Sequence, residues 1–386
     1  MPINSPENIN ESLLLAAGGS PEELISTIEQ LTLQKTAPAL VDEIVARCLP
    51  RQEMEVELLF EIFFGKESTE STLTFGNGRI KVTGGRAGDP GAHIRFEAAD
   101  LVTALYGPAG RPGGLTREVH SLLKLPGRGS WEDTYQLFLT QTAYAEVIQL
   151  VLAACSPRTP DLGELSVRYR SDKWGFLHWF TGHYENHFRH LLDEPVRLLE
   201  IGIGGYGDTS SGGASLRMWQ NYFRRGRIFG LDVYEKTSVH GPRLRTIVGD
   251  QNDPAAMRRL GEQVGPFDVI IDDGSHVSEH VLTSFEALFP YLRDGGLYVI
   301  EDFGTTYWPG FGGARPDAEG AQTAMTRMKG LLDGLHYPEY EDAAIYQPSL
   351  TDRTVSAVHF YRNLVFIEKG LNAEPGPPEW MPRSPV

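Results

Sequence analysis

The sequence predicts an α/β fold in which a Rossmann-like sheet is closed by an antiparallel hairpin and is preceded by an N-terminal α+β auxiliary domain. Between residues 197 and 301 short apolar strands alternate with amphipathic segments, a pattern typical of a doubly wound parallel sheet. The apolar segments 355–361 and 364–369 are joined by two residues and predict the closing hairpin. The first 155 residues lack this alternation, so we expect them to form a separate unit.

The boundary between the two domains is predicted at a proline-containing stretch. Residues 156–161 read Ser-Pro-Arg-Thr-Pro-Asp and are the candidate linker. We therefore assign residues 1–155 to the auxiliary domain and residues 162–386 to the second domain. A chain of 386 residues is long enough for about two domains.

Helices are predicted to begin the auxiliary domain. Between Pro21 and Phe64 apolar residues recur at helical spacing, which predicts three short helices separated at Pro38 and Pro50. The elements predicted next are a hairpin over 71–83, a strand over 93–97 and helices over 98–106 and 134–154. Around residues 55–130 this pattern resembles a small domain of the sterol-carrier type, which implies an apolar pocket.

The parallel strands of the second domain are short and apolar. They are predicted at 197–202, 228–232, 245–250, 267–272 and 296–301. The amphipathic segments between them are predicted as helices at 214–223, 254–264 and 278–292.

The composition excludes several classes of protein. The formal net charge of −16 argues against a nucleic-acid-binding surface and favours the binding of cations. Cys48 and Cys155 are far apart, so we expect buried thiols rather than a disulfide or a zinc site. No run approaches the roughly 18 apolar residues of a membrane span, and the first residues lack the basic start of a signal peptide. We therefore expect a cytoplasmic protein with no nucleic-acid or membrane partner.

Acidic residues and a histidine follow two consecutive predicted strands. Asp272 and Asp273 end one strand, with His276 three residues further on, and Glu301 and Asp302 end the next. The carboxyl ends of such strands form the edge where open α/β sheets bind ligands. Clustered carboxylates repel one another unless a cation or a proton is shared, so the pattern favours a divalent-cation site beside a base. Helix caps and turns are the alternative, because Asp is common in both.

A glycine-rich loop follows the first strand of the second domain. Residues 202–207 contain Gly-x-Gly-x-x-Gly, which can cradle a dinucleotide pyrophosphate. The alternative is the acidic loop of an S-adenosylmethionine (SAM) enzyme, in which Glu200 faces an ammonium group instead of a phosphate. The extension 210–213 delays the helix that a dinucleotide fold needs close by. Both features favour SAM over NAD.

Polar residues at other strand ends complete a predicted cofactor site. Asp232 ends the second strand and can accept both ribose hydroxyls, and Asp250 with Gln251 can contact an adenine amino group. The predicted cofactor-binding residues are Glu200, Gly202, Gly204, Asp232, Asp250, Gln251 and Asp272.

Five segments of the second domain carry a resemblance to a known enzyme family. They read Glu-Ile-Gly-Ile-Gly-Gly-Tyr at 200–206, Gly-Ala-Ser-Leu-Arg-Met-Trp at 213–219, Gly-Asp-Gln at 249–251, Asp-Val-Ile-Ile-Asp-Asp-Gly-Ser-His at 268–276 and Tyr-Val-Ile-Glu-Asp at 298–302. Over about residues 165–370 the chain resembles the metal-dependent sugar O-methyltransferases of antibiotic biosynthesis, notably the macrolide 2-hydroxyl methyltransferases of the mycinamicin and tylosin pathways.

This resemblance implies a SAM-methyltransferase sheet, SAM and Mg²⁺ as cofactors, and a glycosylated polyketide as the small-molecule substrate. It implies that Asp273, Glu301 and Asp302 hold the Mg²⁺ and that His276 is the general base. It also implies a homo-oligomer, because the larger family members are tetramers in which the N-terminal domain of one subunit reaches the active site of another.

The chemistry of methyl transfer suits these residue types. A sugar hydroxyl is a poor nucleophile until it loses its proton. A hard cation held by three carboxylates can bind adjacent hydroxyls and lower the pKa of the one that attacks. His276 can then accept the proton.

Three further histidines are candidate functional groups. His183 and His187 lie at helical spacing and could mimic a zinc pair, but no third ligand is evident, so we expect a helix face instead. His280 lies one helical turn after His276, and we expect it to be an interior residue and not a second base.

Two segments near the predicted site have an open interpretation. Lys173 lies in Ser-Asp-Lys-Trp-Gly at 171–175, which is either a helix start or a segment that wraps the cofactor. Residues 304–316 are rich in glycine and aromatic residues, a composition that indicates a mobile substrate lid.

The leading hypothesis is a SAM- and Mg²⁺-dependent O-methyltransferase that acts on a deoxysugar hydroxyl. The second hypothesis is an NAD-linked oxidoreductase that uses the same glycine loop, but it leaves the acidic cluster unexplained. The third is a lipid-carrier or assembly protein in which the N-terminal half binds an apolar ligand.

Overall fold

The structure is a computed structural model, and it contains one β-sheet in each of the two predicted domains. It describes residues 6–49, 54–108, 117–123, 131–156, 161–175, 177–318, 320–340, 345–378 and 380–382. Most of the predicted linker, residues 157–160, therefore lies outside the described residues.

The N-terminal domain packs helices against a five-stranded sheet. Its helices are α1 (Pro6–Gly18), α2 (Pro21–Leu31), α3 (Leu33–Arg47), α4 (Ala98–Tyr106) and α5 (Trp131–Ala154). Its strands are β1 (Val56–Phe64), β2 (Glu67–Gly76), β3 (Arg79–Gly84), β4 (Ala92–Glu97) and β5 (Arg117–Ser121), in the order β3-β2-β1-β4-β5. Helices and strands share one buried apolar core, which includes Leu13, Ile44, Leu58 and Val147.

The prediction of three helices between Pro21 and Phe64 is wrong in two respects. α3 continues through Pro38, which lies inside the helix. The third predicted helix is the strand β1, which pairs antiparallel with β2 and parallel with β4. One face of β1 is buried, and the other, mostly half-buried face carries Leu59 and Phe63 as well as two glutamates. Its apolar residues therefore do not alternate strictly and can imitate helical spacing.

The second domain contains a seven-stranded sheet with helices around it. Its helices are α6 (Leu162–Tyr169), α7 (Thr181–Phe188), α8 (Ala214–Tyr222), α9 (Pro254–Val264), α10 (Ser278–Leu288), α11 (Ala324–Leu335) and α12 (Leu350–Thr354). Its strands are β6 (Arg197–Ile201), β7 (Arg227–Asp232), β8 (Leu244–Val248), β9 (Phe267–Asp272), β10 (Leu292–Glu301), β11 (Val355–Tyr361) and β12 (Leu364–Lys369).

The strand order of this sheet is β11-β12-β10-β9-β6-β7-β8. The five strands β6 to β10 pair in parallel, as the alternation of strands and helices predicted. β12 pairs antiparallel with both β10 and β11, so the closing hairpin is confirmed. All residues of β9 are buried, which places the strand in the centre of the sheet between apolar layers. The result is a Rossmann-like sheet with an antiparallel end.

Arginines following α8 hold the second domain against the N-terminal domain. Arg224 donates to the backbone carbonyl of Ala104 at the end of α4, and Arg225 donates to the carbonyl of Leu14 in α1 at 3.3 Å. Arg227 pairs with another residue of α1, Glu11. Because guanidinium groups satisfy several carbonyls at once, they let polar helix ends lie at a buried boundary.

The expectation that no segment resembles a membrane span is wrong for one helix of the N-terminal domain. Residues 135–154 of α5 are long and apolar enough to cross a membrane by length and composition. Ala143, Val147 and Val151 of this helix nevertheless pack in the core of the N-terminal domain. One face of α5 therefore lies on the core of this domain, while only 22% of the apolar stretch is buried.

Both cysteines are buried and carry free thiols, as their spacing predicted. Cys48 follows α3, and Cys155 follows α5. Burial raises the pKa of the Cys48 thiol to about 12 and that of Cys155 further still. Neither thiol is therefore a nucleophile near neutral pH.

Candidate active site at the carboxyl edge of the second sheet

The predicted site residues lie where the order of the parallel strands reverses. β6 pairs with β7 on one side and with β9 on the other, and open α/β sheets bind ligands at such a switch point. β9 also pairs with β10, so that Ile201, Asp272 and Ile300 lie in register. The expectation that the two acidic strand ends are neighbours is therefore confirmed.

A buried lysine, Lys173, joins three carboxylates at this edge. Its Nζ atom lies 2.6 Å from Oε1 of Glu301, 2.9 Å from Oδ2 of Asp273 and 3.3 Å from Oε1 of Glu200. The side chains of Lys173 and Glu200 have no exposed surface. Burial alone would lower the pKa of Lys173, but the three carboxylates hold that pKa well above its usual value. Lys173 is therefore charged.

Negative charge exceeds positive charge around this lysine. Burial, and then the neighbouring Asp273, raise the pKa of Glu301 well above its usual value. Burial likewise raises the pKa of Glu200 to about 7, although Lys173 opposes that shift. Tyr184 donates its O–H to Oε1 of Glu301 at 2.5 Å. The raised pKa values indicate that one ammonium group does not balance these carboxylates, so a further cation would be favoured here.

Asp302 lies between two imidazole rings. Its Oδ1 atom is 3.3 Å from Nε2 of His178, and its Oδ2 atom is 3.6 Å from Nε2 of His276. The φ angles of His276 and Asp302 are 57° and 48°, in the left-handed region that residues other than glycine seldom adopt. The chain therefore turns sharply after β9 and after β10, and the two turns bring these side chains face to face.

The oxygen donors of the site fit a magnesium ion. Within the described part of the chain, two groups of possible ligands lie with their donor atoms within 4.8 Å of one another. The groups are Asp273, His276 and Asp302, and Glu200, Asp273 and Glu301. Asp273 belongs to both, so the predicted ligands form one continuous acidic patch. Burial raises the pKa of Asp302, although His276 and His178 oppose that shift. Carboxylate oxygens are the donors that Mg²⁺ prefers.

The glycine loop after β6 packs directly against the end of β9. Gly202 and Gly204 have φ angles of 91° and 75°. A Cβ atom on Gly202 would lie 2.1 Å from the carbonyl oxygen of Asp273, whereas a Cβ atom on Gly204 would meet open space. Asp232 supports this loop, because its Oδ2 atom accepts the N–H of Ile203 at 3.0 Å. The predicted cofactor loop and the predicted metal ligand Asp273 thus form one structural unit.

The remaining predicted cofactor residues have different environments. Asp272 is 1% exposed and accepts hydrogen bonds from Gln251 at 3.1 Å and from Ser284 at 2.5 Å. Burial raises the pKa of Asp272 to about 6. The side-chain carbonyl of Gln251 accepts the N–H of Ser275 at 2.7 Å. Asp272 and Gln251 therefore brace the loop after β9, while Asp250 is exposed to solvent.

The segment predicted as a lid begins with ordered turns beside His276. Residues 303–307 and 309–311 form short 3₁₀ helices. Thr305 donates its O–H to the backbone carbonyl of His276 at 3.0 Å, which joins this segment to the turn that carries the predicted base. Trp308 is 58% exposed, so a flat aromatic face is open to a ligand. The mobility of the segment remains a prediction.

The other histidines serve the fold, as expected. The ring of His183 stacks on Tyr361 at 3.8 Å, and the ring of His187 stacks on Phe366 at 4.1 Å. Neither belongs to the groups of possible metal ligands found among the described residues. His280 contacts the hydroxyl of Ser275 through Nδ1 at 2.8 Å and so supports the loop after β9.

Spacing in the sequence did not identify three residues of this site. Lys173 lies 100 positions before Asp273 and 128 before Glu301, and no strand carries it. His178 and Tyr184 are equally remote from their partners along the chain. A single Lys, His or Tyr before the first strand gives no periodic signal. The available signal is the excess of acidic residues over basic ones near the strand ends, which indicates that a cationic partner is needed there.

The strand order, the glycine loop at the switch point and the acidic patch beside it define the class of Rossmann-like methyltransferases. Comparisons with known proteins agree with this class. The protein family described as "MycE methyltransferase N-terminal" matches residues 10–117, and the one described as "Methyltransferase domain" matches residues 209–303.

Named relatives match nearly the whole chain. Demethylmacrocin O-methyltransferase of Streptomyces fradiae is 41% identical over 389 residues, covering 99% of this chain and 96% of the relative. Mycinamicin VI 2''-O-methyltransferase of Micromonospora griseorubida is 41% identical over 377 residues, covering 97% and 94%. The structure of MycE methyltransferase from the mycinamycin biosynthetic pathway, in complex with Mg and SAH, matches with a TM-score of 0.88 at 40% identity, covering 98% of this chain and 96% of that one.

This chain belongs to the family of sugar O-methyltransferases of macrolide and related polyketide biosynthesis. The fold expected from the sequence, with its N-terminal auxiliary domain, is confirmed by the likeness to MycE. The relatives are transferases, so the oxidoreductase alternative is not supported. The carrier-protein alternative is not supported either, because the matching enzymes include the N-terminal half.

Proposed function

We propose that this enzyme transfers the methyl group of SAM to a deoxysugar hydroxyl of a glycosylated macrolide or related polyketide, with Mg²⁺ in the site. The observation that carries the proposal is the continuous acidic patch of Asp273, Glu301 and Asp302, which faces His276 and adjoins the glycine loop. The relatives support the substrate class, since mycinamicin VI 2''-O-methyltransferase is named for a hydroxyl on a glycosylated macrolide.

The residues of the chain have separate roles in this reaction. When bound, Mg²⁺ would be held by Asp273, Glu301 and Asp302 and would supply a positive charge that acidifies a sugar hydroxyl. His276 accepts the hydroxyl proton at its imidazole, next to Asp302, which stabilises the resulting positive ring. The hydroxyl oxygen then bonds to the methyl carbon as the carbon–sulfur bond breaks, so atoms and charge balance.

The cofactor is proposed to bind across the glycine loop. Glu200, Gly202 and Gly204 would adjoin its aminoacyl part, and Asp232 would accept its ribose hydroxyls, with Asp250 and Gln251 near the base. Support comes from the open space beside Gly204 and the place of Asp232 at the end of β7. The buried position of Asp272 supports a contribution through Gln251 instead of direct contact.

The proposed organisation of the protein follows from its two cores. We assign residues 1–155 and 162–386 to the two domains, because each of these ranges has its own sheet and its own apolar clusters. We also propose a homo-oligomer, supported by the exposed Tyr135 and Phe138 on the first turns of α5. The two buried free thiols support a reducing, cytoplasmic location. Light scattering of the purified protein tests the oligomer.

The decisive experiment is mass spectrometry of a panel of glycosylated polyketides after incubation with the enzyme and SAM. One methyl group should be added to a sugar of at least one compound when MgCl₂ is present. Excess chelator should abolish the reaction, and added Mg²⁺ should restore it, because the clustered carboxylates cannot otherwise acidify the hydroxyl. Full turnover of the dialysed enzyme in chelator would refute the role of the metal.

A further inference from the structure

We propose that Lys173 is a fixed internal counter-ion of the metal site, which holds Glu200, Asp273 and Glu301 together before any divalent cation binds. The inference rests on the proposed function in one respect, namely that Asp273 and Glu301 are metal ligands. It assigns a positioning role to a residue that neither carries the reacting atoms nor follows a strand of the sheet.

The first support is the way in which Lys173 shares its bonds. Its ammonium group contacts Oε1 of Glu301, Oδ2 of Asp273 and Oε1 of Glu200, so each carboxylate gives it one oxygen. Tyr184 donates to the same Oε1 atom of Glu301. The second oxygen atoms of Asp273 and Glu301 carry none of these bonds and are left for a metal ion.

The second support is the rigid attachment of Lys173. Its backbone carbonyl accepts the N–H of Phe180 at 2.9 Å, and the N–H of Gly175 donates to the carbonyl of His178 at 3.0 Å. Trp174 and Trp179 form a β-bridge within the same turn. This turn therefore holds Lys173 against its three carboxylate partners. The second half of the turn places His178 beside Asp302.

The third support is the charge of the site. Three carboxylates share one ammonium group, so about two negative charges remain when all three are ionised, and a divalent cation would balance them. Without Lys173 the buried carboxylates of Glu200 and Glu301 would lose this cationic partner, which is costly. Lys173 should thus preform the site, and a divalent cation should become a partial substitute when the lysine is removed.

Lys173→Met is the first test, since methionine fills a similar volume without charge. The matched control is Lys369→Met, because Lys369 is also buried but donates to the carbonyls of Phe289, Pro290 and Leu292 instead of to carboxylates. Thermal unfolding of both variants and the wild type is followed in chelator, in MgCl₂, and in NaCl of equal ionic strength. Calorimetry measures binding of Mg²⁺ to the wild type.

We expect the Tm of Lys173→Met to fall by roughly 10 °C in chelator, as for a buried charge pair that loses one partner. MgCl₂ should raise this Tm by clearly more than it raises that of the wild type, while NaCl should not. Lys369→Met should be destabilised with only the wild-type response to Mg²⁺. An Mg²⁺-induced rise in Lys173→Met that is no larger than in the wild type would overturn the counter-ion role.

A second variant covers the case in which Lys173→Met does not fold. Replacing Glu200 with Gln in the same chain removes one of the unbalanced charges, so Lys173→Met/Glu200→Gln should fold. MgCl₂ should raise the Tm of this double variant by more than it raises the Tm of Glu200→Gln alone. Equal responses would again overturn the proposal. If calorimetry shows no Mg²⁺ binding to the wild type, the proposed metal site itself is wrong, which is a different failure.

Discussion

Glu43 of the N-terminal domain and Arg243 of the second domain form a buried ion pair with two hydrogen bonds. Nε of Arg243 lies 3.0 Å from Oε2 of Glu43, and Nη2 lies 2.7 Å from Oε1. Arg47 adds a third bond to Oε1 at 2.8 Å. Burial alone would raise the pKa of Glu43, but Arg243 and Arg47 together lower it to about 2. The pair fixes α3 to the residue that precedes β8.

We predict that Glu43→Gln lowers the free energy of unfolding by roughly 3 to 5 kcal/mol at neutral pH, because it leaves a buried arginine without its charge partner. The folded-state pKa of Glu43 lies below its usual value of 4.5, so its contribution is full above that pH and is lost as the pH falls towards about 2. Urea denaturation should therefore show a difference between wild type and variant that shrinks below about pH 4.5.

The control for this prediction is Glu164→Gln. Glu164 forms an ion pair with Arg168 at 2.8 Å, but both side chains are exposed. Its loss should cost less than about 1 kcal/mol. A similar cost for the two variants would show that the Glu43 pair does not stabilise the domain interface.

His276→Ala should reduce turnover by about 10² to 10⁴, the usual contribution of a positioned general base. Binding of SAM and Mg²⁺, followed by calorimetry, should change little, since oxygen donors remain to hold the metal. His280→Ala is the control and should retain most of its turnover, because His280 contacts Ser275 instead of Asp302. If excess Mg²⁺ restored the turnover of His276→Ala, His276 would be a metal ligand and not the general base.

Asp232→Ala should weaken SAM binding by roughly 1.5 to 3 kcal/mol, which is the value of lost hydrogen bonds to a charged group. Both oxygens of Asp232 also support the backbone, at Ile203 and Tyr234, so the loss includes a looser glycine loop. Asp253→Ala is the control: this residue caps α9 and should affect Tm but not SAM affinity. Unchanged SAM affinity in Asp232→Ala would exclude the proposed ribose contact.

Gly202→Ala should weaken the binding of both SAM and Mg²⁺, because the new methyl group would collide with the backbone of Asp273. The methyl group added by Gly204→Ala would meet open space, so this variant should retain Mg²⁺ binding. Its cost should be limited to roughly 1 to 2 kcal/mol of folding stability, because a residue other than glycine is strained in the left-handed region. Calorimetric titration of each ligand separates the two variants. Normal Mg²⁺ binding by Gly202→Ala would show that the loop and the metal site are independent.

The fold could be predicted wherever the chain has a clear period or a turn signal. The parallel strands and the closing hairpin were found because each strand is a short apolar run ended by Gly, Asp or Asn. β1 was not, because Leu59 and Phe63 on its less buried face interrupt the alternation of apolar and polar residues. The partners that make it a strand lie elsewhere in the chain, so local spacing alone favoured a helix.

The site could be predicted only as far as strand ends reveal it. Asp273, Glu301 and Asp302 follow strands whose order the alternation implied. The structure groups Asp273 and Asp302 with His276, and it groups Asp273 with Glu301. The contacts of Lys173 with these carboxylates could not be predicted, because they depend on the path of a turn and not on the register of a strand. The same holds for the inward orientation of Asp272, which its position at a strand end does not distinguish from that of Asp273.

The left-handed turns at His276 and Asp302 restrict how this enzyme can be re-engineered. Apart from glycine, the residues that tolerate such a backbone are chiefly Asn, Asp and His, so these two positions accept few substitutions even before chemistry is considered. In a library of variants designed to methylate a different sugar hydroxyl, most substitutions at these two positions would disturb the backbone. Variation in the segment after Asp302, where Trp308 is exposed, leaves both turns intact and offers the more productive place to redirect methylation.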